Sequence, residues 1–180
     1  MSGSSTSPFT LHHDYLRRIS NRCCRSVQTG EKIPIPAGQP WSEELVVGRS
    51  ASLKIAKTAE LIDARAITQF EYTITNTLWY DISLIDCANN AGAPGANGLP
   101  SVDGSQCPGF EGGIRLEATG GQCALANLPP STYDPAVAYF VPEDNLSTKS
   151  CLDGQAGGDI TMTLCTGGPA KRGIAGRIEY

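Results

Sequence analysis

Histidine is almost missing from this chain. Two occur in 180 residues, adjacent at His12 and His13. That removes Ser-His-Asp and Cys-His nucleophilic chemistry, which needs a histidine base beside a distant nucleophile. Charge is also scarce, at 18 % of residues, with a net charge of −4. An acidic balance of this kind excludes a nucleic-acid binder, which would present a basic stripe. No apolar run is long enough to cross a bilayer. The seven cysteines include no CxxC pair and no His/Cys ligand cluster. A zinc site is therefore not expected and disulfides are, which implies an oxidising compartment. No cofactor motif occurs: Gly112-Gly113 and Gly120-Gly121 do not open helices, so they read as turns. No leader-like apolar segment is visible in Met1 to Thr10. The expectation is that the native N-terminus is not in this sequence and that the protein is secreted.

What is abundant is turn chemistry, with 20 glycines and 12 prolines separating short alternating runs. That pattern predicts an all-β sandwich. The length suits a single domain, expected at 17–168. A flexible lead at 1–16 and a flexible tail at 169–180 would flank it. His12 and His13 would be solvated in the lead, and Lys171-Arg172 in the tail is a dibasic pair. Arg17, Arg18, Arg22 and Arg25 suggest a charged edge strand.

The strongest stretch is Ile67 to Asp86. Phe70, Tyr72 and Ile74 alternate with Gln69, Glu71 and Thr73. After Thr75-Asn76-Thr77, Leu78, Tyr80, Ile82 and Leu84 alternate with Trp79, Asp81 and Ser83. A hairpin loop at Thr75 to Thr77 pairs Ile74 with Leu78, Tyr72 with Tyr80 and Phe70 with Ile82, so the apolar faces coincide. The same register sets Glu71 opposite Asp81, with Cβ atoms roughly 5 Å apart. Like charges in that position repel, so the pair calls for a reason.

Elsewhere the signals are shorter. Lys32 to Pro40 reads as a proline-rich connection unsuited to a central strand. Trp41 reads as a core anchor rather than a sugar platform. Ser52 to Lys57, Gly112 to Leu116 and Thr161 to Cys165 are strand candidates. Ala88 to Gly113 lacks periodicity and reads as a long surface excursion, tied down if Cys87 and Cys107 are bridged. Asn145-Leu146-Ser147 is a glycosylation sequon for a secreted chain.

Several of these segments resemble thaumatin-like proteins. Thr68-Gln69-Phe70-Glu71-Tyr72, a turn and Trp79-Tyr80-Asp81-Ile82-Ser83-Leu84-Ile85-Asp86-Cys87 are similar to that family's A-E-F-x-L, turn, D-Y-x-D-I-S-x-x-D-G. The F-E-Y-T and W-Y-D-I-S forms are those of small fungal secreted members. Ile19-Ser20-Asn21-Arg22-Cys23 resembles the opening I-x-N-R-C, and Gly38 to Ser42 the G-x-x-W-[ST]. Ala56-Lys57-Thr58 stands for A-R-T, Gly121-Gln122-Cys123 for G-Q-C, and Tyr133 to Tyr139 for C-P-D-A-F-x-Y. Ser150-Cys151 with Thr161 to Cys165 resembles the closing hairpin.

The resemblance implies a small antiparallel sandwich, disulfide-bonded, with loop-rich excursions. It also implies an acidic cleft which in plant members binds, and sometimes weakly hydrolyses, β-1,3-glucan. Residue by residue, that cleft would hold Lys57 at the Arg position, Gln69 at the Glu position, then Asp81, Asp86 and Asp134, with Glu71 able to substitute for Gln69. Family analogy implies bridges Cys23–Cys165 and Cys107–Cys151, with Cys87–Cys123 then the remaining plausible bridge. Cys24 is left over, as a buried small residue or an intermolecular bridge. The expected activity is non-catalytic binding by a monomer. The partner would be a cell-wall polysaccharide, or a host or competitor protein, at a defence or effector interface. The alternatives are a weak endo-β-1,3-glucanase using Glu71 and Asp81, or a hydrolase inhibitor. No cofactor, metal, nucleic acid or membrane is expected.

Overall fold

The computed structural model describes residues 8–13, 22–26, 30–36, 40–61, 65–118, 122–152 and 159–166, with backbone alone at 8–13 and 22–26. Thirteen strands are formed among the described residues. In chain order they are β1 (Pro8–His13), β2 (Arg22–Ser26), β3 (Lys32–Ile35), β4 (Trp41–Glu44), β5 (Ser50–Ala56), β6 (Ile67–Ile74) and β7 (Leu78–Ser83). Then follow β8 (Asn89–Pro94), β9 (Pro100–Asp103), β10 (Ile114–Ala118), β11 (Ala126–Leu128), β12 (Lys149–Ser150) and β13 (Ile160–Leu164). One sheet runs β12-β7-β6-β5-β2-β3, a second β11-β10-β13-β1-β4, and β8-β9 forms a separate hairpin. The fold is all-β: no α-helix occurs among the described residues, and a 3₁₀ turn forms at Phe110–Gly112.

The two main sheets close on one core. Phe70, Tyr80 and Ile82 come from one sheet; Ile114, Leu116, Met162 and Leu164 from the other. All seven are at most 1 % exposed, so each contributes about 1.5–3 kcal/mol by leaving water. Period-two alternation dictates this directly: in β13, Ile160, Met162 and Leu164 are buried and the two threonines between them are not.

The β6–β7 hairpin has the register its alternation predicts. Ile74 pairs with Leu78, Tyr72 with Tyr80, Glu71 with Asp81 and Phe70 with Ile82. Lys32 to Pro40, expected as a connection, contributes β3, which carries Pro34 and lies at a sheet edge, where strands tolerate proline.

Other expectations are corrected. Pro8–His13, expected in a flexible lead, runs as β1 between β13 and β4. Its pairing with β13 is parallel, so the second sheet is mixed rather than purely antiparallel. The two strands lie far apart in the chain, so no tight turn forces them antiparallel. β2 is not an edge strand; β5 and β3 flank it. The Gly/Pro-rich excursion contains the β8–β9 hairpin, turned at Gly95 to Gly98.

The disulfides also differ from the family analogy. Cys87 bonds Cys107 and Cys123 bonds Cys151, with Cα separations of 5.0 and 3.8 Å. Cys107–Cys151 and Cys87–Cys123 therefore do not form. Cys87 opens the excursion and Cys107 closes it, so their bridge ties its base. Cys123 and Cys151 face each other in an antiparallel bridge. The Cys23–Cys165 pairing, Cys24, Lys171-Arg172 and the 169–180 tail lie outside the described residues or side chains.

Candidate functional site

The outward face of β5, β6 and β7 carries three polar rows, because alternate residues on each strand point away from the core. The rows are Ser50–Thr73–Trp79, Ser52–Glu71–Asp81 and Lys54–Gln69–Ser83. β12 then adds Ser150 opposite Trp79 and Lys149 opposite Tyr80. Between them lies a groove of about 370 Å³, whose lining includes Ser50, Ser52, Glu71, Thr73, Trp79 and Asp81, with Thr148 at its border. Tyr80 anchors the floor from below. Its hydroxyl donates to the Ala124 carbonyl, and burial pushes its pKa up to about 12.

Hydrogen bonds order the rows. Ser50 Oγ and Thr73 Oγ1 lie 2.6 Å apart. Ser52 Oγ donates to Gln69 Oε1 at 2.9 Å, and Gln69 Nε2 donates to Asp86 Oδ2 at 3.1 Å. Lys149 Nζ donates to the carbonyls of Ala136 at 2.7 Å and Leu146 at 3.0 Å.

The two facing carboxyls are both disfavoured as anions. Burial, then the charge of Glu71, pushes Asp81 up to about 7, with Lys149 opposing. Burial also raises Glu71; Asp86 adds to the rise, while Ser83 and Lys54 oppose it. Ser83 Oγ lies beside Glu71 and favours its anion, yet it has no partner in full hydrogen-bond geometry among the described residues. Asp81 Oδ1 likewise has no hydrogen-bond partner among the described residues. Lys149 is lowered by desolvation, with Asp134 and Asp81 pulling the other way.

Of the residues expected in the site, Glu71 and Asp81 meet in one row and Gln69 and Asp86 are bonded beside it. Asp134 stands outside the groove lining. Its Oδ1 accepts the Ala136 N–H at 3.0 Å, and its charge acts on Lys149. Lys57 lies apart from the groove, donating to the Ser105 carbonyl at 2.5 Å. Lys54, in register with Gln69, is a cation beside the acidic rows and acts on Glu71. Alternation along β5 was the signal that could have preferred it. Trp79 was placed on the polar face without a role, and nothing local pointed to Thr148 or Lys149. Trp41 is partly buried against the core. Asn145 sits exposed on a turn, while the Ser147 of its sequon is buried and donates to the Asp144 carbonyl at 2.8 Å. No group of His, Cys, Asp and Glu able to hold a metal occurs among the described residues.

Neither a family model nor a curated protein sequence matches the chain. Among solved structures, the chain is similar to a thaumatin-like xylanase inhibitor at 12 % identity. The TM-score is 0.48, over 88 % of this chain and 99 % of that one.

Proposed function

We propose that this chain is a secreted thaumatin-like protein that binds a cell-wall glycan through the groove on β5, β6 and β7, without hydrolysing it. The observation that carries this reading is the Ser52–Glu71–Asp81 row at an open groove edged by hydroxyls and one exposed indole. Such a lining offers acceptors and donors for sugar hydroxyls. The two disulfides suit an oxidising compartment. Asn145 is an accessible glycan acceptor in that setting, and the protein acts as a monomer.

Hydrolysis is the weaker reading. A glycosidase places its acid and its nucleophile or base so that they flank the scissile bond. Glu71 and Asp81 rise side by side from one sheet face and reach a ligand from the same side. A protein partner, as for an inhibitor, is the other alternative.

Sedimentation with insoluble β-glucan, chitin and cellulose tests the proposal. Retention on β-glucan is expected. It should fall further in Asp81→Ala than in Gln69→Ala, since an ordered carboxyl accepts more hydroxyls than an amide. Absence of retention on all three polymers would overturn glycan binding. Reducing-sugar release from laminarin that disappears in Asp81→Ala would overturn the non-catalytic assignment.

A further inference from the structure

Trp79 is 47 % exposed although strands flank it on both sides, β6 and β12. Tryptophan is normally well covered, because its large apolar surface gains by leaving water. Here both cross-strand neighbours are small. Thr73 stands on one side and Ser150 on the other, so neither covers the indole. The indole also borders the groove that Glu71 and Asp81 line. This is an apolar plate set beside a row of hydrogen-bonding groups.

We infer that Trp79 is the stacking platform of the groove, and that the ligand is a neutral pyranose polysaccharide rather than a charged one. This inference rests on the glycan-binding reading above. A pyranose ring has one face of C–H groups and a rim of hydroxyls. The C–H face meets the negative π face of the indole. The rim then lies over Thr73, Ser50, Ser52 and the Glu71–Asp81 pair.

The charged side chains lining the groove are both carboxyls. Lys149 donates to the Ala136 and Leu146 carbonyls and does not belong to the groove lining. A uronate or sulfated sugar would find no cation in the groove lining to offset its desolvation, since Lys54 stands outside that lining beside Gln69. A polycation gains little, because both carboxyls are disfavoured as anions by burial. An uncharged, hydroxyl-rich ligand satisfies the lining without burying a charge.

The test measures binding of laminarin, polygalacturonate and chitosan to the intact protein, to Trp79→Phe and to Trp79→Ala, by calorimetry at neutral pH. Thermal melts check that each variant folds; an exposed position should leave them unchanged. The expected result is laminarin binding by the wild type, retained within a few-fold by Trp79→Phe and weakened about tenfold or more by Trp79→Ala, as for loss of a stacked ring. Indole fluorescence should shift on laminarin addition in a Trp41→Phe background, where Trp79 is the sole reporter.

Laminarin binding that is equal in Trp79→Ala and wild type overturns the platform while leaving the glycan reading standing. Tighter binding of polygalacturonate or chitosan than of laminarin overturns the neutral-ligand assignment. No binding of any of the three by the wild type overturns both this inference and the reading beneath it.

Discussion

Gln69 holds Asp86 by an Nε2–H···Oδ2 bond of 3.1 Å while its Oε1 accepts from Ser52. Both halves of the amide are used, so its orientation is set by its partners. A carboxylate at 69 would lose the donor and face Asp86, with Glu71 and Asp81 close by. The amide stands where a fourth acid would be hardest to accommodate.

Gln69→Glu should therefore destabilise the fold at neutral pH by about 1–3 kcal/mol, from the lost bond and the new repulsion. The loss should shrink below pH ~4, where the carboxyls protonate. Urea unfolding at pH 7 and pH 3.5 checks this. An equal loss at both pH values would mean that the penalty is steric rather than electrostatic.

Asp81 makes stability depend on pH with a definite sign. Its folded-state pKa of about 7 lies above that of an unfolded aspartate, about 3.9. Between those values the folded protein binds a proton that the unfolded chain has released. The associated stability is full below pH ~4 and is lost as the pH rises through 7. Asp81→Asn cannot ionise and should gain on the wild type by on the order of 2 kcal/mol between pH 4 and 8, after allowance for solvent at the groove mouth. Denaturant titrations of both proteins across that range measure it. A difference that stays constant with pH would show that Asp81 does not titrate there.

The two bridges close loops of 20 and 28 residues. In the chain-entropy model each restricts the unfolded chain by roughly 3–4 kcal/mol. The double variants Cys87→Ala/Cys107→Ala and Cys123→Ala/Cys151→Ala should each lose stability of that order. Peptide mapping without reduction should recover the Cys87–Cys107 and Cys123–Cys151 pairs, and will also show where Cys23, Cys24 and Cys165 go. Recovery of Cys87 joined to Cys123 would contradict the connectivity.

Gly104 is a packing requirement. A Cβ there would lie 2.3 Å from the Phe110 ring, which is buried and meets Phe140 edge-on. Gly104→Ala should displace that ring and cost about 1–3 kcal/mol. A thermal melt within a degree of wild type would show that Phe110 can move at no cost.

The hairpin was legible because every cue for it is local. Alternation over β6 and β7, with a three-residue loop between them, leaves one register that buries Phe70, Tyr72, Tyr80 and Ile82 together, and that register carries Glu71 to Asp81. Pro34 argued against a central strand at Lys32 to Pro40, but it did not show that the segment pairs as β3 at the sheet edge. Cysteine pairing did not follow, because seven cysteines permit many connectivities and the choice depends on which turns the fold brings within bonding reach. Nor could alternation show that β1 joins β13 in parallel, or that Lys149 and Thr148 arrive beside Trp79. Those contacts join segments that only the packed sheets bring together. The sequence by itself determined the two-faced hairpin and its facing acids. Tertiary structure decided what stands around them, because side-chain period is a property of one strand and strand neighbours are a property of the whole sheet.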